Sequence, residues 1–160
     1  MEFEIMLGFG EVGKTTFAKK RKGTFLGFDG FHPYGTLYKF NAAMEQIAAR
    51  VNEKPRTRFV MDGYLSVVDD QICGADFEPL RSLLLHHDIK PIVVFSNADR
   101  IVEAVLKRGS PHCINRDFIL WFYREIGNNF DLSNAEFYFF PTVKLFHLKG
   151  FEHGMSKLVY

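Results

Sequence analysis

The sequence predicts an α/β sandwich in which a central parallel sheet lies between layers of helices. Three features predict it. Short apolar runs of strand length alternate with segments whose apolar residues recur at helical spacing. Pro91-Ile92-Val93-Val94-Phe95 is a continuous β-branched and aromatic run, the pattern of a strand covered on both faces. A glycine-rich segment, Gly8 to Gly13, stands between the first apolar run and the first helical one. Strands and helices in alternation build parallel sheets, because each crossover returns the chain to start the next strand in the same direction.

Phe3 to Phe9 reads as a buried first strand running into glycines. Gly13 to Lys22 follows as a helix closed by Gly23. Thr24 to Asp29 is the second strand, and Gly30-Phe31-His32-Pro33-Tyr34-Gly35 is a loop by its glycine and proline content. Between Leu37 and Asn52, apolar residues at Leu37, Phe40, Met44, Ile47, Ala48 and Val51 keep a helical period, which Pro55 ends. Arg58 to Met61 leads into a third strand closed by Asp62-Gly63. Phe77 to His87 and Ala98 to Lys107 read as helices on either side of the Pro91–Phe95 strand. The second of them carries Ile101, Val102, Val105 and Leu106 on one face. Gly109, Ser110 and Pro111 interrupt it, and a helix resumes from Asn115 to Ile126. Glu136 to Phe140 is the last strand, and Pro141 to Tyr160 carries no clear period.

The chain suits one domain spanning residues 1–160, long enough to bury a core without disulfide or metal staples. With 47% hydrophobic and 24% charged residues it belongs with folded rather than disordered chains. Its 18 phenylalanines serve as core, or some of them line a groove where rings stack. A net charge of +1 gives no global field for nucleic acid, so such binding would depend on local patches. Lys19, Lys20, Arg21 and Lys22, and again Lys54, Arg56 and Arg58, are either favourable helix-end charge or a modest patch for a phosphate backbone. Cys73 and Cys113 lack metal-ligand spacing and read as free thiols. His86 and His87 are an adjacent pair, while His147 and His153 lack partners at ligand spacing, so none defines a metal site. No apolar run reaches the length of a membrane span, and Met1-Glu2-Phe3-Glu4 lacks the pattern of a signal peptide. No membrane association and a cytoplasmic location are expected.

The most specific signal is Gly8-Phe9-Gly10-Glu11-Val12-Gly13-Lys14-Thr15, with Thr16 beside it, which fits G-x-x-x-x-G-K-[ST] at every fixed position. The chemistry explains the spacing. Glycines let the loop wrap around phosphates, and successive backbone N–H groups then point at the anion. The helix that begins at Gly13 adds its positive dipole end. Lys14 supplies a point charge for β- and γ-phosphates, and Thr15 a hydroxyl for Mg²⁺. The motif follows an apolar strand and opens a helix, as the mechanism demands, and so resembles the P-loop NTPase superfamily.

Ligands of open parallel sheets sit beyond the carboxyl ends of the strands. Two acids stand there, Asp29 and Asp62, each followed by glycine. Asp62 closes Arg58-Phe59-Val60-Met61, the form of a Walker B segment, and is expected to hold Mg²⁺ through water or to polarise the attacking group. Asp29 leads into the loop with His32 and Tyr34, and a carboxylate there can take the proton of a substrate hydroxyl. The alternative for each is a turn residue, since Asp-Gly is a common turn pair. Farther on, Leu106 to Arg116 has a glycine hinge at Gly109, with Arg108 and Arg116 flanking a short loop. A lid over residues 108–116 would exclude water, and both guanidinium groups could meet the transferring phosphoryl. The alternative is solvated helix-end charge.

The order of strand, phosphate loop, helix and Asp-ended strand, then Glu103-Ala104-Val105-Leu106-Lys107-Arg108-Gly109 and the aromatic helix from Phe118 to Tyr123, resembles the kinase domain of the phage-type polynucleotide kinase family. The resemblance covers most of residues 3–127. It implies a three-layer P-loop NTPase sandwich with strand order 2-3-1-4-5, and ATP or another triphosphate with Mg²⁺ as cofactors. It further implies Lys14 and Thr15 on phosphate and metal, Asp29 as base for the acceptor hydroxyl, and Arg108 on the β- and γ-phosphates. The family carries a second Asp and an Arg after the second strand, where this chain has Gly30-Phe31-His32-Pro33-Tyr34. Related phage kinases that act on hydroxymethyluracil in DNA also use a primary hydroxyl, and an aromatic pocket could hold an extruded base. The resemblance thus implies phosphoryl transfer to a nucleic acid hydroxyl, in a phage-infected host or otherwise. A nucleoside or other small metabolite is the alternative acceptor, and a nucleotide-binding switch the alternative of another class. No Asn-Lys-x-Asp guanine-reading motif is present.

Overall fold

The computed structural model describes residues 1–10, 12–31, 37–68, 71–73, 76–109, 114–141 and 144–159, with the backbone alone at 37–39, 66–68 and 71–73. Its centre is β1 (Glu2–Leu7), whose Phe3, Ile5, Met6 and Leu7 are fully buried. A strand covered on both faces buries both, which is why Ile5, Met6 and Leu7 are apolar in succession, while Glu4, buried as well, takes a charged partner. β1 is followed by α1 (Lys14–Lys20), β2 (Thr24–Leu26), α2 (Leu37–Asn52) and β3 (Phe59–Met61). A short hairpin comes next, β4 (Ser66–Val68) with β5 (Gln71–Cys73), then α3 (Glu78–Arg81) and β6 (Asp88–Phe95). The chain ends with α4 (Ala98–Lys107), α5 (Arg116–Asn129), β7 (Glu136–Phe139), β8 (Phe146–Leu148) and α6 (Phe151–Val159).

The six-stranded sheet runs β2-β3-β1-β6-β7-β8. Its first five strands are parallel, in the order 2-3-1-4-5 expected from the sequence. The sixth, β8, is antiparallel to β7 and extends that order at one edge. Helices lie on both faces. Val94 pairs with Tyr138 in register, and Phe95 with Phe139, so Tyr138 and Phe95 point to opposite sides. Phe17 of α1 packs edge-on against Tyr138. Tyr123 of α5 stacks on Phe95, and Phe151 of α6 meets the same ring. Among the described residues no helix is long and apolar enough to cross a membrane.

The α2 helix spans the range its period predicts, with Phe40, Met44, Ile47, Ala48 and Val51 buried. α4 and α5 are each opened by an asparagine, Asn97 accepting from the Asp99 and Arg100 amides and Asn115 from the Phe118 amide.

Two expectations are corrected, and two segments take a form the sequence left open. The helix expected over 77–87 stops at Arg81. Asn52 takes over the backbone beyond it, donating to the Leu83 carbonyl at 2.9 Å and accepting from the Leu85 amide at 3.0 Å. The second strand ends at Leu26, not Asp29, and a 3₁₀ turn over Phe28–Gly30 follows. The β4–β5 hairpin was not expected, because strands of three residues are too short to show a period. The tail, left open by the sequence, forms β8 and α6.

The far end of α1 is held by charge. Arg21 grips the buried Glu4 of β1 through two hydrogen bonds, at 2.8 and 2.5 Å. Glu136 joins the cluster at 3.5 Å from Arg21 and is itself paired with Lys90 and Tyr138. A buried carboxylate demands such partners.

Candidate active site

The loop from Gly8 to Thr15 crosses the carboxyl end of the sheet between β1 and α1. Gly13 has φ of 81°, in the left-handed region, immediately before the helix. A Cβ there would also lie 3.1 Å from the Phe140 ring. At Gly8 the constraint is close approach, since a Cβ would fall 2.6 Å from the Val94 carbonyl oxygen. The loop is fastened from below. The Phe9 amide donates to the Tyr123 hydroxyl at 3.1 Å, and that hydroxyl donates to the Val94 oxygen at 2.6 Å. Burial pushes the Tyr123 phenol well above its usual pKa, so it stays a donor. Val12 is fully buried, so its side chain supports the loop from the core side and does not face the cleft.

The lysine and the threonine that follow have defined partners. Lys14 Nζ donates to the Gly8 carbonyl at 2.6 Å, folded back over its own loop. Burial lowers its pKa to about 8, against the opposing pull of the Asp62 and Asp29 charges. Thr15 Oγ1 donates to Asp62 Oδ2 at 2.7 Å. The other oxygen, Asp62 Oδ1, accepts the Phe28 amide at 2.9 Å, so Asp62 also anchors the 3₁₀ turn that carries Asp29. Residues 47 positions apart thus join the start of α1 to the end of β3.

A cleft of about 630 Å³ opens over these groups. This size suits a nucleotide-sized ligand. Gly8, Gly10, Gly13, Lys14, Thr15 and Thr16 form its floor. Asp29, exposed, and Asp62, half-buried, stand on one wall, and Arg108, just past α4, reaches the cleft as well. Most of the predicted site residues are therefore brought together.

Others are not. Arg116 does not line the cleft; it opens α5 and donates to the Val159 carbonyl at 3.3 Å, tying α5 to α6. Glu11, His32 and Tyr34 lie outside the described residues, as do lid positions 110–113.

The sequence allowed that some phenylalanines line a groove or pocket, but it named none of them. Phe9, Phe28, Phe122 and Phe140 line the cleft, with Leu65 and Gly63 beside Asp62. Phe140 is held in place: Ser96 Oγ and Arg100 Nη1 both donate to its carbonyl, at 2.7 and 3.1 Å, and the Arg100 guanidinium lies 5.3 Å from its ring centre. The available signal was position, since Phe140 directly follows a strand end, where ligands of parallel sheets bind. Tyr123 was read as one aromatic of a helix, and nothing local marks it as the loop's support.

Among the described residues, no group of three His, Cys, Asp or Glu converges. Thr15 and Asp62 nevertheless fit Mg²⁺, which takes oxygen ligands, keeps several waters, and usually binds through one or two protein groups plus substrate phosphate.

No family model matches the chain, and no curated protein matches it. Among solved structures, a candidate kinase from Chloroflexus aurantiacus is similar, with a TM-score of 0.50 and 19% sequence identity over 77% of this chain and 78% of that one. At that identity the likeness shows the fold: an α/β architecture with helices around a six-stranded, mostly parallel sheet.

Proposed function

We propose that this chain is a kinase of the P-loop NTPase type that transfers the γ-phosphoryl of ATP to an alcohol. A nucleic acid hydroxyl, at a strand end or on a hydroxymethylated base, is the preferred acceptor class. The observation that carries the reading is the Thr15–Asp62 hydrogen bond at 2.7 Å, at the mouth of a glycine loop whose lysine is held over the same cleft. The structural neighbour, described as a candidate kinase, supports the same class.

The residues divide the work. Loop amides and the α1 end cradle the phosphates, and Lys14 exchanges the Gly8 carbonyl for phosphate oxygen. Thr15 and Asp62 would hold Mg²⁺, which supplies charge neutralisation across the β- and γ-phosphates. Asp29, exposed at the wall, orients and accepts the proton of the acceptor hydroxyl. Arg108 meets the charge that spreads over the transferring group. Phe140, the half-buried ring of the cleft, offers a face to a nucleobase, free or in a strand, while the buried Phe28 and Phe122 form the wall behind it.

The test is transfer of label from γ-labelled ATP to 5′-hydroxyl oligonucleotides, hydroxymethylated DNA and free nucleosides in parallel. Label on either DNA supports the preferred acceptor. Label on nucleosides alone moves the assignment to a small-molecule kinase, and hydrolysis without transfer moves it to a nucleotide-dependent switch.

A further inference from the structure

The two basic stretches of the sequence close on each other at the outer edge of the sheet. α1 and α2 both end at the side opposite the phosphate loop, as crossover helices of a parallel sheet must. There the Thr24 amide donates to the Arg58 carbonyl at 2.8 Å, and a Cβ on Gly23 would stand 3.1 Å from the same oxygen. Next to this junction a groove of about 430 Å³ runs between β2 and the end of α2, walled by Thr24, Phe25, Arg50, Glu53 and Lys54.

Lys19, Lys20, Lys22, Arg50, Lys54 and Arg56 are exposed at this edge, and Arg58 is half-buried. Among the described residues, no ion pair holds any of them. Glu53 is the one carboxylate in the groove wall. Arg21, in the middle of the first stretch, is the exception that makes the point: the fold uses it on Glu4 and leaves its neighbours facing water. A chain of net charge +1 therefore concentrates uncompensated positive charge on one edge. An aromatic ring adjoins it, for Phe25 of this edge strand is half-buried with Lys19 Nζ at 5.2 Å from its ring centre, on the α1 side of the sheet, while Thr24 and Leu26 face the groove.

We infer that this edge, groove and β2 together, binds single-stranded nucleic acid, with phosphates on the lysine and arginine side chains and a base against Phe25. Cations that track a backbone, interleaved with a ring that takes any base, are what sequence-tolerant strand binding requires. The ring is recessed, which suits a splayed base and not a stacked pair. An acidic membrane surface fits less well, since it calls for protruding apolar side chains among the cations. The exposed large apolar residues, Met1, Leu83, Leu85, Leu106 and Phe146, are not among the groove walls. The groove lies a full α1 away from the cleft, about 10 Å of helix. It goes beyond the transfer reading and does not depend on it.

The experiment is fluorescence anisotropy of a labelled oligothymidylate with the full chain, without ATP, over a salt series. The parent protein is expected to bind with affinity that falls steeply as salt rises. A Lys22→Glu, Lys54→Glu, Arg56→Glu variant should bind about tenfold or more weakly, with a salt slope shallower by about 0.7 per lost phosphate contact. Should that variant melt lower than the parent, the same three positions changed to Gln give the answer at neutral charge. Phe25→Leu should lose about fivefold or more at high salt, where stacking dominates. Lys14→Ala should bind the oligonucleotide as the parent does while losing transfer, which separates this site from the cleft; a parent protein that binds the oligonucleotide and transfers no label to any acceptor fails the kinase reading alone. Equal affinity of parent and charge variants overturns the inference. So does binding to phosphatidylserine vesicles without binding to the oligonucleotide.

Discussion

The Phe9 amide and the Tyr123 hydroxyl meet at 3.1 Å across 114 positions of sequence, and the same hydroxyl passes its own proton toward Val94. One phenol therefore satisfies a loop donor and a strand acceptor in a place with no water access. Tyr123→Phe keeps the ring and leaves both groups unpaired. Such a loss costs about 1–3 kcal/mol per group at most. We expect a lower urea midpoint with unchanged slope, together with weaker nucleotide binding. A variant as stable and as tight as the parent would show that the loop holds itself.

Lys14 is the clearest case of a residue whose placement costs stability before ligand arrives. Burial lowers its pKa to about 8, whereas the unfolded chain keeps the ordinary 10.5. Below the lower value both states are protonated, and the folded one bears the cost of withdrawing the ammonium from water, less what the Asp62 and Asp29 charges return. Between the two values the folded chain holds fewer protons than the unfolded one, so stability rises with pH through that window. Lys14→Met is therefore expected to unfold at higher urea than the parent near neutral pH, with the gap closing as pH climbs to the ordinary lysine value. Transfer should be lost in the same variant. A gap that does not move with pH would contradict a desolvated lysine.

The two carboxylates should separate by metal dependence. Asp29→Asn is expected to keep ATP binding and the Mg²⁺ requirement while losing transfer, because the amide cannot take a proton. Asp62→Asn should push the Mg²⁺ requirement upward; its remaining oxygen can still accept the Phe28 amide. Asp62→Ala frees that amide too, and should disturb the turn holding Asp29 as well as the metal side. Rates across a Mg²⁺ titration decide it. If Asp29→Asn behaves as the parent while Asp62→Asn loses all transfer at saturating metal, the two roles are reversed.

Arg108→Ala should lower turnover far more than it lowers the melting temperature. Arginines that meet the transferring phosphoryl are worth roughly 10³–10⁵ in rate in the best cases. A loss under about tenfold, measured by single-turnover transfer, would place Arg108 among ordinary helix-end charges.

Where a rule of local chemistry applied, the sequence carried the answer. The turn at Gly13, between β1 and α1, is legible because a glycine-rich run between a strand and a helix marks a loop, and α2 is legible because sixteen residues show a period. Asp62 was readable from its place after Phe59-Val60-Met61, though its second duty, holding Phe28, was not. What stayed hidden depended on partners distant in sequence. Asn52 ending the helix near Leu83, Phe140 closing on Gly13, and Tyr123 under Phe9 are all made by folding. Arg116 misled for the opposite reason: its position beside the lid suggested the cleft, yet the Val159 carbonyl holds it elsewhere.

Gly154 gives the chain's last helix a hand on the phosphate loop. A Cβ at that position would fall 2.1 Å from the Phe95 ring, so α6 can seat only because the side chain is missing. Phe95 stacks on Tyr123 with ring centres 4.9 Å apart, and Tyr123 carries Phe9. A chain of contacts thus runs from α6, ring to ring to hydroxyl to amide, to the loop between β1 and α1. Gly154→Ala should therefore slacken the grip on nucleotide as well as lowering the melting temperature, although nothing in the cleft has been altered.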